Sequence, residues 1–103
     1  MAMQISSSIT GNHANLALGG RFDFNATREF REAYEQILAH KDLEAINVDL
    51  ANVDYLDSSA LGMLLLFKEK AGPGGVKLSL VNSRGGVRQI LEVANFHKLF
   101  TVS

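Results

Sequence analysis

Short segments of alternating apolar and polar residues predict the β-strands of this chain. Residues 3–9 and 15–18 are the first two such segments, and the second ends near Gly19-Gly20. Gly11-Asn12 lies between them and is typical of a turn, so we predict an N-terminal β-hairpin. Further strands are predicted at residues 45–50, at residues 76–81, where the pattern is clearest, and at residues 99–102, where a last strand would be short.

Three intervening segments have apolar residues at the spacing of an α-helix. In the first, Asn25 or Thr27 is expected to cap a helix whose apolar stripe consists of Phe30, Tyr34, Ile37 and Leu38. The second helix is predicted at residues 59–71, where Gly72-Pro73-Gly74-Gly75 ends it. A third helix is predicted at residues 87–95.

The predicted order is β-β-α-β-α-β-α, followed by a short final strand. Strands that alternate with helices favour parallel pairing through right-handed crossovers, and the hairpin adds an antiparallel pair. We therefore predict an α/β fold with a mixed sheet of four to five strands and helices packed mainly on one face.

Composition narrows the class of protein. With 103 residues the chain fits one domain, residues 1–103, and 47% of its residues are hydrophobic, as in a globular core. A formal net charge of -1 argues against a nucleic-acid partner, and the absence of cysteine excludes disulfides and thiol-ligated zinc. The longest apolar run, residues 61–67, is too short to span a bilayer, and no signal peptide is evident. We expect a cytoplasmic protein with no membrane partner, no metal and no cofactor.

Two predicted loops gather polar residues at one end of the sheet. Gly20-Arg21-Phe22-Asp23-Phe24-Asn25 follows the second strand, and a loop at residues 51–57 follows the third. Functional loops of open α/β sheets lie at the carboxyl ends of the strands. Asp23 and Asp57 are therefore expected at the same end.

The segment Asp57-Ser58-Ser59 precedes the second helix and admits two interpretations. All three residues are good N-caps, so one interpretation is that the segment serves only to begin the helix. Alternatively, the free N–H groups and positive dipole end of the helix would attract a phosphate on a serine. Nearby carboxylates would oppose that phosphate, so the local surface could change while the fold survives.

The helix after this segment is apolar around its whole circumference. One face can cover the sheet, and the rest must be covered by other elements or by a partner. One hypothesis is that Met63, with parts of Leu66 and Phe67, forms an exposed docking patch; the alternative is that neighbouring helices bury them. Gly62 weakens the helix by about 0.5–1 kcal/mol relative to alanine, which close approach of another group would explain.

These motifs resemble the STAS domain family, and within it the bacterial anti-sigma factor antagonists. Asp57-Ser58-Ser59-Ala60-Leu61-Gly62 is similar to the family's phosphorylation motif, usually Asp-Ser-Ser-Gly-Leu-Gly, with Ala60 as the departure. Gly20-Arg21-Phe22-Asp23-Phe24 is similar to its Gly-x-Leu/Phe-Asp segment. Residues 87–102 resemble the family's closing helix and the apolar segment after it, so the match extends along nearly the whole chain and implies the STAS fold.

The resemblance implies a non-enzymatic switch. The unphosphorylated protein would bind an anti-sigma factor that is often also a serine kinase, and so regulate transcription. Phosphorylation of Ser59, with Ser58 as the alternative acceptor, would weaken the complex. A serine phosphatase, fused to a response regulator in one branch of the family, would reverse it. The predicted partner-binding residues are Asp23, Asp57, Ser58, Ser59, Ala60, Gly62 and Met63.

Other functions remain as alternatives. A serine hydrolase needs a base near Ser58 or Ser59, and the sequence places none of His13, His40 and His97 there, so no catalytic residue is predicted. A paired-carboxylate glycosidase lacks room for a sugar cleft. Weak nucleotide binding, a STAS signalling module whose target lies outside a sigma factor pathway, and a scaffold that is never phosphorylated stay open.

Overall fold

A mixed five-stranded sheet carries three helices on one face in the computed structural model, which describes residues 3–103. The strands are β1 (Gln4–Thr10), β2 (His13–Phe22), β3 (Ala45–Leu56), β4 (Lys77–Val81) and β5 (Thr101–Val102). The helices are α1 (Thr27–Leu38), α2 (Ser58–Ala71) and α3 (Gly85–Val93). This arrangement confirms the predicted α/β class and the order of its elements.

The sheet follows the order β1-β2-β3-β4-β5. β1 pairs antiparallel with β2, and the other three pairs are parallel. Alternate strand residues such as Leu16, Val48 and Leu80 are fully buried beneath the helices, whereas Asn47 and Ser79 lie on the opposite face and are only half-buried. The alternation of apolar and polar residues along the strands therefore predicts correctly which face of the sheet is buried.

β2 and β3 both continue through segments that we predicted to be loops. Gly19-Gly20 and residues 51–56 have turn-like composition, yet the β2–β3 ladder runs on to the pair Phe22↔Leu56. Two register shifts let the strands stay paired past the glycines, and the buried side chains of Val53 and Leu56 keep the extension attached to the core. Long-range pairing thus overrides the local turn signal.

The extension of β3 projects beyond its other neighbour. The last pair between β3 and β4 is Asp49↔Val81, so residues 50–56 are paired with β2 alone. On the unpaired edge, the Arg84 guanidinium donates a hydrogen bond of 2.9 Å to the Ala51 carbonyl. We call residues 50–56 and the paired end of β2 the projection.

Helix boundaries correct several predicted ends. Neither Asn25 nor Thr27 is the N-cap of α1, because the chain enters it from a 3₁₀ turn, Phe24–Ala26, that the Asp23 side chain caps.

The bounds of the later elements also differ from the prediction. α2 begins one residue earlier than predicted, at Ser58, while α3 spans Gly85–Val93 instead of residues 87–95. β5 is confined to two residues, Thr101–Val102. Gly72–Gly74 forms a further 3₁₀ turn and Gly75 follows at φ 71°, which confirms the predicted end of α2.

Four aromatic rings form the centre of the core between α1, α2 and the sheet. Phe30 contacts Phe22, Tyr34 and Phe67 at ring-centroid distances of 4.9, 5.5 and 5.7 Å. Tyr34 stacks on Phe67 at 4.7 Å, and its hydroxyl is buried without a hydrogen-bond partner among the described residues. This packing fixes the position of α2, and with it the segment that begins the helix.

Candidate functional site

The carboxyl ends of β2 and β3 lie side by side, as the sequence predicted. Arg21 pairs with Tyr55 and Phe22 with Leu56, so the loops that contain Asp23 and Asp57 leave the sheet together. The Asp57 N–H donates a hydrogen bond of 3.4 Å to the Phe22 carbonyl. The two predicted acidic residues therefore share one end of the sheet.

The carboxylate of Asp57 links these two loops. Its Oδ1 accepts a 2.9 Å hydrogen bond from the Ala60 N–H, which makes Asp57 the N-cap of α2. Its Oδ2 accepts from the Phe24 N–H at 3.3 Å. Because each oxygen accepts a hydrogen bond from a different element, Asp57 joins the turn after β2 to the start of α2.

Asp23 has a similar structural role on the neighbouring loop. Its Oδ1 accepts from the Asn25 N–H at 3.0 Å, and Oδ2 lies 3.4 Å from the Arg21 Nε. The Arg21 guanidinium also stacks over the ring of Tyr55, 4.2 Å from its centroid. Arg21 is thus held between an acidic loop and an aromatic ring, a contact that no local sequence pattern predicts.

Ser58 and Ser59 occupy the first two positions of α2, where N–H groups have no acceptor within the helix. Ser58 is exposed and Ser59 is half-buried, so both serines reach the surface. Ala60, next along the chain, is fully buried and donates its N–H to Asp57. The sequence places two serines at a positively polarised helix end beside a carboxylate, and the structure keeps them accessible.

The predicted docking patch is wrong in two of its three residues. Met63 and Phe67 are 7% and 0% exposed, because both belong to the core between α2, α1 and the sheet. Leu66 is 42% exposed, and its neighbour Leu65 is 40% exposed. The outward apolar side chains of α2 are therefore Leu65 and Leu66.

A groove between α2 and α3 exposes further apolar side chains. The groove encloses about 360 Å³ and is lined by Leu61, Gln89, Ile90, Val93 and Ala94. Val93 is 79% exposed, the largest exposed fraction of any large apolar residue in the part of the chain that the structure describes. We call Leu61, Leu65, Leu66 and Val93, with the groove residues, the apolar surface. Its α3 portion is absent from the sequence-based prediction, although a lone valine at the end of an amphipathic helix is a visible signal.

Gly62 lies on the exposed side of α2 among these residues. A Cβ placed there would meet no other atom of the described chain within 4 Å. Within the described chain, therefore, no group makes the close approach to Gly62 that we expected. The missing side chain leaves open space about one turn below Ser58.

The three histidines lie at the far end of the sheet. His13 opens β2 and pairs with Ala45 at the start of β3, whereas Ser59 follows the end of β3. Ten residues of β2 at about 3.3 Å each separate the two ends by roughly 30 Å. His40 follows α1 and His97 precedes β5, so both lie on that far side. No histidine among residues 3–103 is placed to activate a serine.

We searched the described residues for side chains that could bind a metal ion together. Within residues 3–103, no group of three or more His, Asp or Glu side chains has the arrangement that could hold a metal ion. The described helices are all too short or too polar to cross a bilayer.

The glycine-rich loop at Arg84 does not form a phosphate cradle. The side chain of Arg84 is directed to the Ala51 carbonyl, and Gly85 begins α3 at φ 57°. Nothing in this loop favours the nucleotide-binding alternative over a protein-binding surface.

Comparison with known proteins identifies the family. A family model described as "Mlab, STAS domain" matches residues 5–101. The chain belongs to the STAS domain family. A STAS-domain containing protein of Pseudomonas aeruginosa is 44% identical over 103 residues, which cover all of both chains. The family resemblance predicted from the sequence motifs is confirmed.

Solved structures confirm the fold of this STAS domain. An anti-sigma factor antagonist from Mycobacterium paratuberculosis superposes with a TM-score of 0.85 at 21% identity, over 97% of this chain and 84% of that one. The phosphorylated form of the Bacillus cell fate determinant SpoIIAA gives 0.72 at 16% identity, over 98% and 90%. The chain is thus structurally similar to anti-sigma factor antagonists.

Proposed function

We propose that this STAS domain, residues 1–103, is an anti-sigma factor antagonist whose binding surface is switched by phosphorylation of Ser59. In the unphosphorylated state it binds an anti-sigma factor or serine kinase and so regulates transcription. The observation that carries the proposal is the position of Ser59, an accessible residue beside the Asp57 cap and above an exposed apolar surface.

The electrostatics of the site support a switch. A phosphate on Ser59 would bring about -1.5 to -2 charges to the end of α2 at neutral pH. The helix N-terminus attracts that charge, while the carboxylates of Asp57 and Asp23 repel it. Because Asp57 is already bonded to Ala60 and Phe24, it cannot turn away from the new charge without losing those bonds. The phosphate is then directed outward, where a partner would meet it.

The apolar surface provides the contact that the phosphate would disturb. Leu65 and Leu66 follow Ser59 by about two turns of α2, and on the α3 side of the helix Leu61 and Val93 line a groove. Large exposed apolar residues grouped in this way mark protein-binding sites. A partner seated on them would cover Ser58 and Ser59, so that a charged phosphate would have to be desolvated in the complex.

Related proteins give independent support. SpoIIAA, which shares this fold, is an anti-sigma factor antagonist and has been solved in both unphosphorylated and phosphorylated forms. By analogy we propose a cytoplasmic, non-enzymatic protein that needs no cofactor and is dephosphorylated by a serine phosphatase. A signalling target outside a sigma factor pathway is compatible with the same surface. Capture of binding partners from cells, described below, would identify it.

The proposal is tested by incubating the protein with the cognate kinase and ATP and measuring intact mass. Wild type and Ser58→Ala should gain one phosphate, and Ser59→Ala should gain none. A phosphate on Ser59→Ala but not on Ser58→Ala would move the acceptor to Ser58. No phosphate on any of the three would leave an unswitched scaffold as the function.

Binding provides the second readout. Ser59→Asp should weaken the complex captured from cells of the source organism while the melting temperature stays within a few degrees of wild type. Since Asp carries less charge than phosphate, the phosphorylated protein should be measured beside it. If both forms retain the full complement of wild-type partners, the switch is refuted.

A further inference from the structure

The outer edge of β1 is an open sheet edge. Among the described strands β1 pairs only with β2, and its seven residues contain no charged residue and no proline. Its pairing with β2 also shows no register shift. Natural proteins usually protect such edges with charges, prolines or bulges, because an open edge offers a template for another strand. The other edge of the sheet, β5, has only two residues.

The turn before β2 determines which backbone groups of β1 face outward. Gly11 and Asn12 form a two-residue turn between the paired residues Thr10 and His13, which makes that pair a hydrogen-bonded one. Hydrogen-bonded pairs alternate along an antiparallel ladder, so the other bonded residues of β1 are Gln4, Ser6 and Ser8. The N–H and C=O groups of Ile5, Ser7 and Ile9 therefore point away from β2.

The sequence of this edge reads the same in both directions. Ile5-Ser6-Ser7-Ser8-Ile9 is a palindrome centred on Ser7. Antiparallel pairing with a second copy about Ser7 would place Ile5 opposite Ile9 of that copy and Ser7 opposite its own equivalent. Each outward-facing residue of the palindrome would then exchange two backbone hydrogen bonds, which gives about six in all. A register shifted along the strand would leave part of the palindrome unpaired.

The side chains on this edge suit the same pairing. Ile5 packs against the core, and Ile9 on the same face is 37% exposed in the single chain. Pairing would bring these apolar residues together across the two copies, as cross-strand neighbours. On the face of the sheet that carries the helices, a groove of about 420 Å³ lies between β1 and α1 and is lined in part by Ile5, Ser7 and Ala33. It leaves space for side chains of the second copy.

We propose that β1 is a self-association edge, through which two copies of this chain join their sheets in antiparallel register about Ser7. The occupant is a second copy because the palindrome makes the edge complementary to itself, as a two-fold interface requires. The two five-stranded sheets would become one continuous sheet. The proposal does not depend on the proposed function, since Ser59 and the apolar surface lie on α2 and α3 and not on this edge.

Cysteine cross-linking tests the register directly, because the chain has no native cysteine. In a bonded antiparallel pair the two Cα atoms are about 5.5 Å apart, within disulfide range. Ser7→Cys should therefore form a covalent dimer under mild oxidation about tenfold faster than Ser6→Cys, or more. Ser6 is the matched control, since its partner in this register is Ser8 of the other copy. Equal rates for the two variants would overturn the proposal.

Charge pairing on the two-fold axis gives the second test. Ser7→Lys alone and Ser7→Glu alone should sediment as monomers, since each places like charges opposite each other. An equimolar mixture of the two should form a heterodimer. The measurement is made at about 0.15 M salt, where the screening length of about 8 Å still exceeds the spacing of directly opposed residues, so the charge interactions at position 7 are retained. A mixture that remains monomeric overturns the proposal.

A proline variant separates association from folding. The N–H of Ser7 faces away from β2, so Ser7→Pro removes no bond of the hairpin but removes the central bonds of the interface. Wild type should sediment as a concentration-dependent dimer between about 10 and about 200 µM, the range expected for a weak interface, and Ser7→Pro as a folded monomer. A wild type that is monomeric throughout, or a Ser7→Pro that still dimerises, overturns the proposal.

Discussion

The Asp57 carboxylate accepts a hydrogen bond from the backbone N–H of Phe24, across 33 positions of sequence. The same carboxylate caps α2 through Ala60. One side chain thus joins the turn after β2 to the helix after β3, and the geometry around Ser59 depends on both bonds.

Removal of this carboxylate should destabilise the domain. Asp57→Ala loses the N-cap and the bond to Phe24, and we expect the free energy of unfolding to fall by about 1–2 kcal/mol. Urea unfolding monitored by circular dichroism measures it. Asp57→Asn keeps an oxygen for Ala60 and should lose less than half as much. Equal losses in the two variants would show that charge, and not capping, is what Asp57 contributes.

Alanine at Gly62 should stabilise α2. The position is helical and exposed, and an added Cβ meets no described atom within 4 Å. We expect a gain of about 0.5–1 kcal/mol in the free energy of unfolding. Gly75→Ala is the contrasting variant, since Gly75 has φ 71° and its alanine should cost about 1–2 kcal/mol. A loss of stability in Gly62→Ala would mean that the surroundings of Gly62 are crowded.

The buried hydroxyl of Tyr34 should be dispensable for stability. It has no hydrogen-bond partner among the described residues, so Tyr34→Phe removes an unsatisfied polar group. We expect a gain of about 1 kcal/mol, or about 5 °C in melting temperature for a domain of this size. Tyr55→Phe is the control, because Tyr55 is 41% exposed and its change should stay within about 0.5 kcal/mol. A Tyr34→Phe variant less stable than wild type would mean that the hydroxyl has a partner.

The same residue should make the domain sensitive to alkali. Burial raises the pKa of Tyr34 above 10.0, and the neighbouring Glu35 raises that pKa further. The unfolded chain therefore loses the phenol proton first, and stability that is present below pH 10 is lost as pH rises through the pKa of the folded state. Between about pH 8 and about pH 11, the urea concentration at the midpoint of unfolding should fall more for wild type than for Tyr34→Phe. An equal fall of the midpoint in the two proteins would mean that groups other than Tyr34 cause the loss of stability at high pH.

A charge on the apolar surface should weaken partner binding without unfolding the domain. Val93 is 79% exposed and is the last residue of α3, so Val93→Asp should cost less than about 1 kcal/mol of stability, mainly because its charge opposes the helix dipole. Because Val93 lines the groove and is so exposed, the affinity for the captured partner should fall about tenfold or more, as measured by titration calorimetry. Leu99→Asp, which alters a 46% exposed residue away from this surface, should leave affinity unchanged. Equal affinity in wild type and Val93→Asp would place the interface elsewhere.

Periodicity in the sequence predicted the hairpin, three helices and the inner face of the sheet, because burial repeats every second residue in strands such as β3. It failed at Gly19-Gly20 and at residues 51–56, where pairing between distant strands decides the structure. It also failed at Met63 and Phe67. A helix that is apolar all round carries no sign of which side faces the sheet, and only the packing against α1 selects it.

At the site, local motifs were enough to place Asp57, Ser58 and Ser59, since a helix cap is determined by adjacent residues. Contacts between separate elements could not be predicted in this way. The stacking of Arg21 on Tyr55 and the groove beside Val93 each join segments that only the fold brings together.

The projection separates the surface beside Ser59 from the ladder that β3 forms with β4. Asn52, Asp54 and Tyr55 are exposed on it, beyond the last residue that β3 shares with β4. Because β4 does not pair with these residues, substitutions there would change the surface next to Ser59 without altering the β3–β4 ladder. A change of side chain at this tip would therefore alter what a partner meets, while Val53 and Leu56 remain buried and keep the tip attached to the core.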